Sequence, residues 1–348
     1  MITTPARGPQ SSSAPIRPDK GLLKISVILC TYNRCQTLAN ALRSLASSDV
    51  PDTVQWEVLV IDNNSRDQTH EVVEDFCRRY PGRFRYIFER EQGKSYALNT
   101  GIREAHGQIL AFIDDDATAE PTWLWSLTQA LTSGEWAGAG GRIIPEPDFL
   151  VPPWLPLDGP RNMGGVLALF DRGNDPGELD LAPYGTNMCF RKEMFERYGG
   201  FRTDLGPRPG SEIRNEDTEF GRRLISAGEH LRYEPSAIVH HPVQKSRLRK
   251  EYFLAWWFDD GRARVRESGI RPPVCGVPRD YLRIPRVILC HLPKIGLQWL
   301  LAFDPQKRFI RKCWVWTMFG QVAEMLSRRG KKENSNGNFQ TDPNVRTR

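Results

Sequence analysis

The 348-residue chain has no Cys-x-x-Cys pair. Its seven cysteines stand at 30, 35, 77, 189, 275, 290 and 313. That odd, scattered set excludes a disulfide framework and a structural zinc site and fits a reducing compartment. Residues 1–20, MITTPARGPQSSSAPIRPDK, are Pro/Ser-rich and lack the apolar core of a secretory signal, so residues 1–22 read as a flexible tail. Long apolar runs are missing too. Tyr281–Phe303 is broken by Arg283, Arg286, His291 and Lys294 and holds Pro285 and Pro293, which leaves only 295–303 uninterrupted, where a membrane-spanning helix needs about 20 residues. Glycine (29) and proline (26) are too few for low complexity, which sets in at roughly 25–30 % of the two combined. There is no Gly-X-Y period and no internal repeat.

What is present is an ordinary apolar fraction, 39 %, in a chain long enough for one large domain or two smaller ones. The net charge of +6 conceals an asymmetry. From Lys245 onward there are 22 Lys/Arg against 9 Asp/Glu, a net of +13, so residues 1–244 carry −7. An acidic body with a basic final third points to two jobs.

Lys24–Cys30 and Trp56–Ile61 are short β-branched runs of the kind buried on both faces of a sheet. Phe84–Phe88 and Gln108–Ile113 add a third and fourth strand. Between them, Gln36–Ser47, a segment starting from Asp67 as N-cap and ending at Pro81-Gly82, and Ser95–Ala105 have helical spacing. Strand–helix alternation at this pitch predicts βαβ units and an α/β fold with a mostly parallel sheet flanked by helices. Further on, the pattern predicts a helix from Pro121, a strand over 136–144, a Pro/Gly-rich loop over 148–180, a strand over 186–191, a helix over 216–227, and one or two strands over 231–240. Trp123, Trp125 and Trp136 read as core.

Ligands of such sheets gather at the carboxyl ends of the strands. Strand one ends in Thr31-Tyr32-Asn33-Arg34, strand two in Asp62-Asn63-Asn64-Ser65-Arg66-Asp67, and strand four in Asp114-Asp115-Asp116. Three adjacent carboxylates repel one another unless a cation neutralises them, and oxygen donors there suit Mg²⁺ or Mn²⁺ shared with a phosphate. A second acidic cluster, Asn215-Glu216-Asp217-Thr218-Glu219, opens a helix whose amide dipoles favour an ionised carboxylate ready to act as general base. Two decoys fail at their own glycines. Gly93-Lys94-Ser95 is no P-loop, because the earlier glycine position is Phe88, and no Gly-x-Gly-x-x-Gly follows strand one.

CTYNR at 30–34, IDNNSRD at 61–67, GKSYALNTGI at 93–102, AFIDDD at 111–116, GTNMCFRK at 185–192 and NEDTEFGRRL at 215–224 resemble, in order and spacing, the family 2 glycosyltransferases. The resemblance covers about Lys24 to Pro242. It implies a GT-A nucleotide-diphospho-sugar fold in which Thr31, Asn33 and Arg34 line the nucleotide pocket and Asp62 meets the base. Lys94 and Asn99 would approach the nucleotide or its phosphates. Asp114 and Asp116 would be the two aspartates of the DXD motif, one near the ribose and the other on the metal, with Asp115 beside them in the nucleotide-sugar site. Asp217 would be the catalytic base, and Gly185, Thr186, Asn187 and Glu216 would flank the donor sugar and acceptor. In some related enzymes a histidine placed like His240 adds a metal ligand.

The implied reaction is an inverting, metal-dependent transfer, with Mn²⁺ or Mg²⁺, from a nucleotide-diphospho-sugar, most simply UDP-linked, to a hydroxyl of a saccharide or lipid-linked acceptor. Trp154, in the Pro-rich loop, is the candidate stacking platform for that acceptor. A nucleotidyltransferase that makes activated sugars would need a Gly-rich basic signature early on, and Leu29–Asn40 has no glycine. A non-catalytic binder of the same fold would have lost a carboxylate, and none is lost.

These readings divide the chain into a tail (1–22), a catalytic domain (23–244), a basic helical extension (245–329) and a disordered tail (330–348). The extension mixes basic and bulky aromatic residues, which suits peripheral contact with an anionic membrane surface on the cytoplasmic side. It has no readout element for nucleic acid.

Overall fold

A computed structural model of the protein describes residues 23–132, 134–268 and 286–336; the N-terminal tail and residues 337–348 lie outside these. The chain divides into two compact units. One comprises residues up to 150 with 167–209 and 216–243; the other comprises 151–166, 210–215 and the residues from 244 onward. The second unit thus takes in part of the Pro-rich loop as well as the basic extension.

The first unit opens with β1 (Leu23–Thr31), α1 (Cys35–Ala46), β2 (Val54–Asp62), α2 (Thr69–Arg79), β3 (Phe84–Phe88), α3 (Lys94–Glu104) and β4 (Ile109–Phe112). It continues through β5 (Thr118–Ala119), α4 (Trp123–Thr132), β6 (Trp136–Pro145), β7 (Gly177–Glu178), β8 (Met188–Arg191), α5 (Lys192–Tyr198), α6 (Glu216–Ser226) and β9 (His230–His241). The N-cap of α2 is Gln68 and not Asp67 as expected; Asp67 stands one residue further out, its Oδ1 accepting from both the amide and the hydroxyl of Thr69. The segment expected as one or two strands before His240 is the single strand β9, and α5 was not foreseen.

The strands form one sheet in the order β3-β2-β1-β4-β8-β6-β9-β5, with β7 on β9. The first four are parallel. β8 then runs antiparallel to both β4 and β6, and β6 is again parallel to β9, so the sheet is mixed, with β8 the strand that reverses between two parallel groups. Register aligns Thr31 with Asp62, which places the two polar strand ends side by side. Successive residues face opposite ways. Val27, Leu29, Val58 and Val60 pack with Leu38 and Leu42 of α1, Phe76 of α2 and Trp123 of α4. Ile28, Leu59, Ile61 and Phe112 pack with Leu98 of α3, Phe195 of α5 and Phe220 of α6. A sheet covered on both faces leaves its rim as the place for chemistry.

The second unit is built on α7 (Lys250–Ser268), α8 (Arg286–Leu300) and α9 (Pro305–Asn336); α9 runs past the expected end of order at residue 329. None of the described helices is long and apolar enough to cross a membrane. Trp154 belongs to this unit and meets the rings of Phe253 and Phe309 edge to face, both at 5.1 Å. It is therefore a packing residue of this aromatic cluster, a correction to its expected role as an acceptor platform. Glu324, 3 % exposed, receives Nε–H bonds from Arg266 (2.8 Å) and Arg262 (3.2 Å) across the α7–α9 contact.

α7 and α9 approach backbone to backbone. A Cβ at Gly261 would overlap the carbonyl of Thr317, and one at Gly320 the carbonyl of Phe258. Helix propensity alone would make Gly320→Ala stabilising by about 1 kcal/mol. Overlap with backbone that cannot rotate away reverses the sign, so the variant should be destabilised by about 1–3 kcal/mol. Urea unfolding of the purified protein measures this.

Candidate active site

The loops after β1 and β2 interlock. Asn33, in the left-handed region at φ 52°, accepts from the amide of Arg66 (2.7 Å) and donates its own amide to Ser65 Oγ (2.9 Å). Asparagine tolerates that conformation better than other side-chain-bearing residues. Asp62 is 3 % exposed, and its oxygens accept from the Ser65 amide (2.9 Å) and the Tyr86 hydroxyl (2.8 Å). Thr31 is buried beside it at 3 %. Above them opens a cleft of about 290 Å³ lined by Tyr32, Asn64, Arg66, Gln92, Arg208 and Pro209. Tyr32, Asn64 and Arg66 lie within the polar strand ends that the sequence marks. Gln92 and Arg208 carry no sequence signal and reach the cleft only through the fold.

Arg34 closes the far side of this rim. Its Nη1 lies 3.0 Å from Asp115 Oδ1 and 2.9 Å from Asp116 Oδ2. Burial pushes the Asp115 carboxyl up to about 6, Arg34 working against the shift and Asp116 adding to it. Asp114 turns the other way, toward Lys94 Nζ at 2.6 Å, and accepts from Thr186 Oγ1 at 2.5 Å. Burial disfavours its charge, but the Lys94 ammonium outweighs burial and holds this carboxyl well below the usual range.

The same ammonium lies 3.7 Å from Glu216 Oε1, so it joins the end of β4 to the start of α6. Asp217 completes the junction, its Oδ2 accepting from the Gly185 amide and its Oδ1 from the Thr218 amide, both at 2.6 Å. A Cβ at position 185 would stand 3.0 Å from Asp217 Oδ2, so glycine gives this approach room that a larger residue would take by displacing the carboxylate. The acidic triplet and the Glu-Asp pair, a hundred residues apart in sequence, thus meet around Lys94, Gly185 and Thr186.

Three expected ligand contacts are corrected. Asn187 is 0 % exposed; it accepts from Trp123 Nε1–H (2.8 Å) and donates to the carbonyls of Arg142 (2.9 Å) and Ala237 (2.8 Å). It fixes the Gly185–Thr186 turn from beneath. Asn99 spends its amide on the backbone of Phe201, donating and accepting at 2.8 Å, and anchors that segment to α3. His240 faces Glu120, at 3.2 Å. Alternation along β9 puts the next residue on the site side, where His241 Nε2 lies 3.6 Å from Asp116 Oδ1.

The imidazole of His241 and the carboxylate of Asp116 form a mixed nitrogen–oxygen donor pair that suits Mn²⁺ and tolerates Mg²⁺. Among the described residues no three or more His, Cys, Asp or Glu side chains converge as a cage. The fit is that of an ion held by one or two side chains and completed by a ligand's phosphates.

Burial, followed by the Asp217 carboxylate, pushes Glu216 up from 4.5 to about 7, with Lys94 opposing the shift. The folded protein therefore keeps a proton that the unfolded chain releases. The resulting stability is full below the unfolded value and is lost as pH rises through the folded one. That loss should be on the order of 1–3 kcal/mol. Glu216→Gln cannot ionise and should lack this decline. In urea unfolding its stability relative to the parent should rise by that amount between about pH 5 and pH 7.

The sequence profile of glycosyl transferase family 2 matches residues 26–199. The chain is 29 % identical over 235 residues to the succinoglycan biosynthesis protein ExoM of Rhizobium meliloti, a stretch covering 67 % of this chain and 70 % of that one. It is 26 % identical over 248 residues to a glucosyl-dolichyl phosphate glucuronosyltransferase of Haloferax volcanii, covering 68 % and 75 %. Among solved structures, the mannosyltransferase PcManGT of Pyrobaculum calidifontis, in complex with GDP-Man and Mn²⁺, superposes with a TM-score of 0.56 at 19 % identity over 88 % of this chain and 87 % of that one. That likeness is one of fold, the GT-A fold. With half of its residues matched by the family profile and with glycosyltransferases among its relatives, this chain belongs to glycosyl transferase family 2 and is a glycosyltransferase.

Proposed function

We propose that the chain moves a sugar, with inversion and with the help of Mn²⁺ or Mg²⁺, from a nucleotide-diphospho-sugar to a hydroxyl of a saccharide or lipid-linked acceptor. UDP is the expected nucleotide. The observation that carries this reading is the junction of Asp114, Lys94, Thr186 and Asp217, which sets a carboxylate suited to accept a proton next to a rim suited to a diphosphate. The role of ExoM in succinoglycan biosynthesis and the lipid-phosphate substrate of the glucuronosyltransferase support polysaccharide assembly as the setting. The free described cysteines fit a reducing cytoplasm.

The cleft lined by Tyr32, Asn64 and Arg66 receives the nucleoside, placing the diphosphate near Arg34 and Lys94. Asp116 and His241 would hold the divalent ion, which would supply positive charge for the departing diphosphate. Asp217 takes the proton of the acceptor hydroxyl while the hydroxyl oxygen bonds to the anomeric carbon. The bond from that carbon to the diphosphate oxygen breaks with its electron pair. Glu216, 3 % exposed and turned to Lys94, is no nucleophile for a second displacement. A single displacement inverts the anomeric centre.

Asp217→Asn should bind the donor as the parent does and lose transfer by about 10²–10⁴-fold; turnover at the parent rate would refute the base assignment. UDP-, GDP- and dTDP-sugars, each with and without Mn²⁺, should separate in a thermal-shift screen. The true donor should stabilise the protein by about 2.7 kcal/mol at a hundredfold excess over Kd, and only when the ion is present. Asp116→Asn should abolish the Mn²⁺-dependent part of that stabilisation.

A further inference from the structure

α8 and α9 are joined by a short turn, and the side chains around it are apolar and outward. Phe303 is 98 % exposed, Leu300 and Leu301 are each 61 % exposed and Leu297 is 57 % exposed. A cluster of this kind at the tip of a helical hairpin costs solubility and contributes nothing to the described core.

The turn is nonetheless well built. Asp304 caps α9, its Oδ1 accepting from the Lys307 amide at 2.6 Å and its carbonyl from the Arg308 amide at 2.8 Å. Behind it, Arg311 donates to the Gln298 carbonyl at 2.6 Å, and Lys312 Nζ stands 5.9 Å from the ring centre of Trp299 and 5.1 Å from that of Trp316. The two helices therefore hold the tip in one shape.

The charge around the tip is placed against the interest of the helix. Asp304 supplies an acidic cap, but the first turn of α9 itself contains no acidic residue and presents the exposed cations Lys307 and Arg308, which the positive end of the helix dipole disfavours. Lys294, also exposed, adds a third. Cations that weaken their own helix become favourable opposite a negative surface.

We infer that the α8–α9 turn is a docking tip for an anionic lipid bilayer. Leu300, Leu301 and Phe303 enter the boundary between headgroups and acyl chains, and Lys307 and Arg308 rest on lipid phosphates. Because no described helix is long and apolar enough to span a bilayer, the contact is superficial and reversible. The inference is independent of the donor and of the proposed reaction.

The test is flotation of the full-length protein with vesicles of phosphatidylcholine alone or mixed with phosphatidylglycerol, with no nucleotide-sugar or acceptor present. The parent should float with the anionic vesicles, more weakly at high salt, and remain largely unbound with the neutral ones. Leu301→Ser/Phe303→Ser and, separately, Lys307→Glu/Arg308→Glu should each lower the affinity by about tenfold or more. These side chains are exposed, so circular dichroism and the thermal midpoint should match the parent. Three results would overturn the inference. The parent could stay unbound with anionic vesicles. Both double variants could bind as the parent does. Sedimentation could instead reveal a dimer that Leu301→Ser/Phe303→Ser dissolves, with no vesicle binding.

Discussion

Five carboxylates, Asp114, Asp115, Asp116, Glu216 and Asp217, crowd the end of β4 and the start of α6, and their repulsion has to be met before the rim can exist. Two cations of the rim meet it. Arg34 lies between Asp115 and Asp116, and the partly exposed Lys94 lies between Asp114 and Glu216. Lys94 has the more demanding position, because it ties a residue that ends a strand to one that opens a helix a hundred positions later. Its own charge is secured in return: burial works against it, but Asp114, Glu216 and Asp217 outweigh burial and raise its affinity for the proton. Where burial outweighs neutralisation the carboxylates hold their protons more tightly than usual, as the upward shifts of Asp115 and Glu216 show.

The sheet explains how such a cluster assembles. Parallel β1, β2 and β4 deliver their carboxyl ends to one rim, which is where the short polar segments Thr31–Arg34, Asp62–Asp67 and Asp114–Asp116 begin. The backbone there is tied by side-chain amides. Asn33 bridges to the β2 loop, Asn63 accepts from the Gly93 amide at 2.8 Å, and Asn187 spans three elements from within the core. Much of what holds this rim is therefore asparagine doing backbone work, while charged side chains face one another above it.

That division decides what could be read from the sequence. The β-branched runs and helical spacings placed α1 to α3 and β1 to β4 closely, because burial on both faces leaves a strong pattern. The acidic motifs were legible for the same kind of reason: adjacent like charges are improbable without a cation. Asn99 and Asn187 were misjudged because polar residues in a motif look alike whether they point at a ligand or at a buried carbonyl. His240 and His241 differ only by the alternation of β9, and one residue of register decides which meets Asp116. The reversal of β8 was invisible, since a four-residue strand, Met188–Arg191, carries no sign of direction. Trp154 was assigned to the wrong kind of neighbour because the sequence gives no hint that Phe253 and Phe309 would enclose it.

The direction of β8 has a further meaning. A strand that runs backward beside β4 presents its beginning, not its end, at the catalytic rim, so Gly185 and Thr186 arrive there from a segment that enters the sheet instead of leaving it. The pairing of β8 with β4 thus sets where Thr186 meets Asp114 and Gly185 meets Asp217, while the chain upstream is anchored separately, by Phe170 against Ile143 and by β7 against β9.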